Sequence, residues 1–279
     1  MLVAHGSVCV RSALEIEALT DLVGRSLPDV AVEAGYLEMA EPPAGLVADQ
    51  LVERGCRRIV VLPLMLLSAG HAKSDVPAVV REARSRHPGV DFPFGAPLGV
   101  SRVPVELLGK AVVASGGAGL PLLLIARGTS DPDANAEACK AARLVAEWTG
   151  SPFAYTGFSG VTGPSVPQAA EVFARLGFGR LAVSWWFLGH GKLIERGRSD
   201  LAEFSAAAGV EIVDAGHLGP EPALVPLLIE RYHEAGAGAV VVNCDACAYR
   251  APWPGREDRV GQAIGVGHSH LAVQHRHPH

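Results

Sequence analysis

Short runs of Val, Ile and Leu alternate along the chain with longer stretches in which apolar side chains recur every three to four residues. The runs predict strands at Leu2–His5, Val30–Leu37 and Ile59–Leu67, since an unbroken apolar stretch of this kind suits a strand buried on both faces. Amphipathic stretches near Ser12–Leu27 and Ala44–Arg54 predict the helices between them, and a helix over Ser74–His87, a short strand over Val90–Phe94 and a helix over Val103–Ala114 follow. The order then restarts, with strands expected at Leu122–Ala126, Phe153–Phe158, Leu181–Phe187 and Val210–Val213 and helices between them. Alternation of this sort requires parallel strands with crossover helices on both faces. The expected fold class is α/β, as two tandem doubly wound parallel-sheet domains.

The restart is an internal duplication. Val3-Ala4-His5-Gly6-Ser7 answers to Ile125-Ala126-Arg127-Gly128-Thr129, Tyr36-Leu37-Glu38 to Phe158-Ser159-Gly160, and Arg58-Ile59-Val60-Val61 to Arg180-Leu181-Ala182-Val183, all at the offset of 122 that separates Gly55 from Gly177. One offset held over so many positions marks a repeat. With one residue of slippage, Gly70-His71-Ala72 stands against Gly191-Lys192-Leu193. Residues 1–116 are expected to form the first domain and residues 117–236 a degenerate second copy, joined at the glycine-rich Ser115-Gly116-Gly117-Ala118-Gly119. Residues 237–279 depart from the repeat. They hold a strand-like Ala239–Val242, the run Asn243-Cys244-Asp245-Ala246-Cys247 and a tail with His268, His270, His275, His277 and His279.

Composition narrows the function. A chain of 279 residues can bury two cores, and a net charge of −5 gives no reason to expect nucleic acid. No apolar run approaches the roughly 18 residues that cross a bilayer, and no basic leader precedes Leu2-Val3-Ala4, so a soluble, cytoplasmic protein is expected. Five cysteines do not suggest a disulfide framework. Cys9, Cys56 and Cys139 read as free thiols, whereas Cys244 and Cys247 form a Cys-x-x-Cys pair open to a disulfide or zinc.

The candidate chemistry lies at the strand ends, where open α/β sheets bind ligands. His5 follows the first strand, Glu38 the second and His71 the third, and the second copy carries Arg127, Gly160 and Lys192 in those places. Two imidazoles and a carboxylate suit Co²⁺, Ni²⁺, Zn²⁺ and Fe²⁺ alike. Each residue also has a plainer explanation: a strand-end histidine can donate to a loop carbonyl, and Glu38 beside Glu41 could favour a helix N-terminus. Their joint placement points to one working site per chain, in the first half. The histidine-rich tail can bind divalent ions by composition alone, and no Gly-x-x-x-x-Gly-Lys-Ser/Thr loop for a nucleotide is present. A metal carrier, with the cysteine pair and tail as its real sites, is the non-enzymatic alternative.

The chain resembles the class II tetrapyrrole chelatases, in particular the long-form sirohydrochlorin cobaltochelatases. The resemblance rests on Val3–Ser7, on Tyr36-Leu37-Glu38-Met39-Ala40-Glu41-Pro42, on Val61–Leu64 with Ser68–Pro77, on Gly128–Asn135 and on Asn243–Arg250. It implies ATP-independent insertion of Co²⁺, as substrate ion, into sirohydrochlorin, with insertion of Fe²⁺ for siroheme as the related alternative. His5 and His71 would hold the ion or accept protons and Glu38 would complete the ligand set or carry a proton away. Lys73, Arg127 and Lys192 would meet the substrate carboxylates, and Cys244 and Cys247 would hold an iron–sulfur cluster, shared between two chains or completed by other ligands. The implied assembly is a monomer or homodimer. The chain departs from the family pattern at Val8-Cys9-Val10, at Asn243 before the cysteine pair, and at His190, which could be a secondary metal contact.

Overall fold

Leu122-Leu123-Leu124-Ile125-Ala126 is a continuous apolar run, and in the computed structural model, whose description covers residues 1–240, it is strand β4, fully buried. Burial on both faces is what the absence of polar alternation requires. Strand β5 (Ala154–Phe158) lies on one side of β4, β6 (Arg180–Trp185) on the other and β7 (Glu211–His217) beyond β6, all parallel. The first half repeats the plan on a smaller scale, with β1 (Leu2–Ala4) central between β2 (Ala34–Tyr36) and β3 (Leu62–Pro63), again parallel. The duplication extends to single hydrogen bonds. Leu37 N–H donates to the Ala4 carbonyl and Ser159 N–H to that of Ala126, each at 3.0 Å.

The first sheet is shorter than its sequence predicts, for reasons of proline chemistry. Val90–Phe94 forms no regular strand, although Ile59 N–H bonds the Asp91 carbonyl and Val61 N–H that of Pro93, both at 2.8 Å. Pro93 has no N–H to continue the ladder, and within the expected Ile59–Leu67 strand Pro63 has none either. The expected Val30–Leu37 strand begins only at Ala34.

Among the described residues eight α-helices cover the sheets: α1 (Val10–Ser26), α2 (Ala44–Glu53), α3 (Val76–Arg86), α4 (Arg102–Ala114), α5 (Pro132–Thr149), α6 (Val166–Arg175), α7 (Lys192–Ala208) and α8 (Val225–Ala237). Side chains alternate across a strand, so Val3 packs outward with Val47, Leu51, Val76 and Val80, and Leu123 and Ile125 pack outward with Phe173 and Ile194. Leu2 and Ala4 face the other way, into a core continuous with Leu122, Leu124 and Ala126. The halves therefore share one interior. They also exchange helices: α4 packs on α5, β6 and β7 of the second half, and α8 packs on α1 and β3 of the first. Gly109 permits the close α4–α5 contact, since a Cβ there would lie 2.3 Å from the Trp148 ring. The glycine-rich 115–119 stretch thus joins α4 to the sheet it already covers. Among the described residues no helix is long and apolar enough to cross a membrane.

Candidate functional site

The β1–β2 pairing runs one step past the formal strands, and that step aligns the first two candidate ligands. Glu38 N–H donates to the His5 carbonyl at 3.0 Å. The next residue, Gly6, has φ 95°, and a Cβ there would lie 1.7 Å from the Glu38 carbonyl oxygen. Only glycine lets the two corners approach so closely. Met39 follows Glu38 with φ 57°, a left-handed conformation uncommon outside glycine, which turns the chain sharply behind the carboxylate.

His71 arrives on a single π-type turn, His71–Asp75, that leads into α3; such turns are frequent at functional sites. Its Nδ1 lies 2.5 Å from Asp75 Oδ2. The carboxylate holds the proton on Nδ1, fixes the ring and leaves Nε2 with a lone pair, as is usual behind a metal-binding histidine. The His5 and His71 rings meet edge to face, 4.4 Å between centroids. His5, Glu38 and His71 each offer one ligand atom within 4.8 Å of the others, a grouping found nowhere else among the described residues.

The electronic state of His5 suits a cation. Its Nδ1 lies 3.0 Å from the Gly6 carbonyl, so Nδ1–H donates and Nε2 is bare. That Nε2 is buried and makes no hydrogen bond, although Glu38 Oε1 is only 3.0 Å away. Two lone-pair atoms at this separation without a shared proton repel unless a cation lies between or beside them. Burial pulls the His5 pKa down to about 4, with electrostatic interaction with His71 and with Arg127 adding to the effect and the Gly6 carbonyl and Glu38 opposing it. Near neutral pH the ring therefore needs no deprotonation before it can bind an ion.

His5 and His71 line a cleft of about 660 Å³ to which both halves contribute. Arg127 and Lys192 line it from the second half, at the positions where the first half has His5 and His71. Gly160, the counterpart of Glu38, sits against the Arg127 backbone, where a Cβ would lie 2.4 Å from the carbonyl oxygen. The second half has thus kept the glycine corner and lost the carboxylate.

Lys73 is a correction. It is not among the residues lining the cleft; its ammonium lies 2.8 Å from Asp131 and 3.0 Å from Asp133, with a side chain 10 % exposed. Asp131 is fixed as the N-cap of α5, accepting from Asp133 N–H at 3.1 Å, so two carboxylates already occupy the lysine and tie the halves together. Ser68 N–H donates across the same boundary to Glu137 at 2.9 Å. His190 lies outside the three-ligand group. Asp75 was assigned no role from sequence, although its spacing four residues after His71 was a usable signal. Cys244, Cys247, Ala239–Val242 beyond residue 240 and the tail histidines fall outside the described residues, and Cys9, Cys56 and Cys139 are free thiols.

A cleft whose one wall offers imidazole and carboxylate lone pairs and whose other wall offers cations defines a metal-handling α/β protein with room for an anionic second molecule. Comparison with known proteins agrees. The CbiX family model matches residues 1–114 and, a second time, residues 121–235, and the chain belongs to this family. It is 35 % identical over 228 residues to a sirohydrochlorin cobaltochelatase of Priestia megaterium, covering 79 % of this chain and 74 % of that one. A sirohydrochlorin ferrochelatase of the same organism is 26 % identical over 229 residues, covering 81 % and 86 %. Among solved structures, SirB from Bacillus subtilis with Fe³⁺ superposes with a TM-score of 0.75 at 26 % identity, covering 85 % of this chain and 95 % of the other.

Proposed function

We propose that the protein inserts Co²⁺ into sirohydrochlorin without nucleotide hydrolysis, using His5, Glu38 and His71 to hold the substrate ion. The observation that carries this reading is the bare, buried His5 Nε2 beside Glu38 Oε1 in a group of three ligand atoms within 4.8 Å. Three protein ligands leave coordination positions open, so an ion held here can pass to four ring nitrogens, whereas a closed four-ligand cage would retain it. Asp75 keeps the His71 lone pair turned toward the ion. Arg127 and Lys192 attract the carboxylates of the macrocycle, and arginine suits the bidentate contact. Similarity to a cobaltochelatase over most of the chain supports cobalt.

Insertion of Fe²⁺ is the second reading, favoured by the ferrochelatase relatives, and the ligand types present suit both ions. Anaerobic metallation of sirohydrochlorin with Co²⁺ and Fe²⁺ side by side tests the proposal through the change in macrocycle absorption. Wild-type protein is expected to accelerate Co²⁺ insertion above the uncatalysed rate, and His5→Ala to lose at least tenfold of that acceleration. Unchanged activity in His5→Ala would remove the site from the reaction, and faster Fe²⁺ than Co²⁺ insertion would decide for the second reading.

A further inference from the structure

The cleft holds a third histidine that the ligand group does not use. His190 follows β6 in the second half, and its side chain is 10 % exposed. Its Nε2 lies 3.1 Å from Glu195 Oε1, so the ring proton sits on Nε2 and Nδ1 carries the lone pair. That Nδ1 is buried and has no hydrogen-bond partner. A buried acceptor left bare is costly, and His190 is among the residues that line the cleft.

The loop that presents His190 is anchored from the other half. His190 N–H donates to Glu15 of α1 at 2.6 Å, and Gly189 packs so tightly on α1 that a Cβ would lie 3.0 Å from Ser12 Oγ. Glu15 is itself held by Arg11 at 3.1 Å. His217, from the end of β7, completes the surroundings: its Nε2 is 3.6 Å from Glu15 Oε2, too far for a hydrogen bond, and burial lowers its pKa despite the attraction of Glu15. The loop is thus anchored from the first half through its backbone, while Glu195 is the carboxylate that contacts the ring itself.

Metal insertion forms bonds from the ion to the ring nitrogens and breaks two N–H bonds heterolytically; each electron pair stays on its nitrogen and two protons leave. A histidine nitrogen that donates its lone pair to the ion cannot take up a proton at the same time. His5 and His71 are therefore poor acceptors while loaded, which leaves the base unassigned. We propose that His190 is that base, taking ring N–H protons on Nδ1; the proposal rests on the chelatase reading above. The imidazolium formed is stabilised by Glu195, whose side chain is 61 % exposed, so the Nε2 proton passes to that carboxylate and on to bulk water. Exchange with water restores the starting tautomer before the second proton leaves. The division of labour is physical: the first half holds the ion and the second half, which lost its own ligands, removes the protons.

The test is anaerobic Co²⁺ insertion by wild type, His190→Ala, the volume-preserving His190→Gln and Glu195→Gln, with Co²⁺ and sirohydrochlorin affinities measured separately. Positioned bases contribute about 10²–10⁴ in rate, so both His190 variants are expected to lose on the order of 100-fold in kcat while both affinities stay within about twofold. Added imidazole should restore part of the His190→Ala rate, and Glu195→Gln should lose less than the His190 variants. Activity of His190→Gln within about threefold of wild type, or a loss seen wholly in KM, overturns the proposal. Wild-type protein that does not accelerate metallation at all overturns the chelatase reading instead, and this one with it, in a separate arm of the same experiment.

Discussion

Asp75 offers the most direct check on how the ion is held. Its carboxylate lies 2.5 Å from His71 Nδ1, with side chains 28 % and 15 % exposed, so the pair is largely withdrawn from water and the proton is committed to Nδ1. Replacing Asp75 by Ala frees the ring to rotate and to adopt the tautomer that places a proton on Nε2, where the lone pair is needed. Loss of such a supporting partner typically weakens metal affinity 10–100-fold, or about 1.4–2.7 kcal/mol. Asp75→Asn keeps an acceptor oxygen but removes the charge, and should fall between wild type and Asp75→Ala. Helix α3 should survive, because Asp75 makes no side-chain capping bond to it; the loss of a carboxylate at a helix start costs only about 0.3–1 kcal/mol. The assay is anaerobic titration with Co²⁺ followed by its visible absorption, with His71→Ala setting the floor so that ions taken up by the histidine-rich tail are subtracted. An Asp75→Ala affinity within twofold of wild type, with His71→Ala strongly impaired, would refute the orienting role.

Three further outcomes follow from the same geometry. A histidine whose folded pKa lies at about 4 against an ordinary 6.5 costs stability as the pH falls, because the unfolded chain takes up the proton first. Between pH 6.5 and 4 the metal-free protein should lose on the order of 3 kcal/mol from this group; urea midpoints in the presence of a chelator should show that slope, and an equal slope in His5→Ala would contradict it. Lys73→Met leaves Asp131 and Asp133 buried without their cation, a loss of about 3–5 kcal/mol by urea unfolding, partly recovered in the Lys73→Met, Asp131→Asn double variant; a change below 1 kcal/mol would show that the pair is not needed. Gly6→Ala forces a side chain into the Glu38 carbonyl at φ 95°, so it should cost at least about 1–3 kcal/mol and lower Co²⁺ affinity together, whereas wild-type affinity in a destabilised protein would separate the corner from the site.

Much of the site was readable from residue order because the relevant geometry is local to strand ends. His5, Glu38 and His71 follow β1, β2 and β3 respectively, which are hydrogen-bonded neighbours, and a parallel sheet brings such strand ends together without help from distant contacts. The duplication was equally plain, since a repeated backbone corner demands a repeated glycine, as at Gly6 and Gly128. The pairing of Lys73 with Asp131 and Asp133 had no signal in the sequence, because those partners lie about sixty positions on and meet it only through packing of the two halves. A still longer separation, 175 positions, hid the link from Glu15 to the His190 loop. Hydrophobic period reveals that a helix has an apolar face but not which sheet receives it, so the exchange of α4 and α8 had no signal in the chain. Val90–Phe94 failed as a strand for a smaller reason, the missing N–H of Pro93.

That exchange governs how the polypeptide must be made. When a ribosome has released residues 1–116, β1 to β3 stand without α8, their covering layer, and α4 has no surface to lie on, because β6 and β7 are still to be synthesised. Neither lobe can finish early. A truncation short of Val225–Ala237 would remove the helix that packs on α1 and β3 and is expected to leave oily surface bare on the first lobe, although the cut falls in the second.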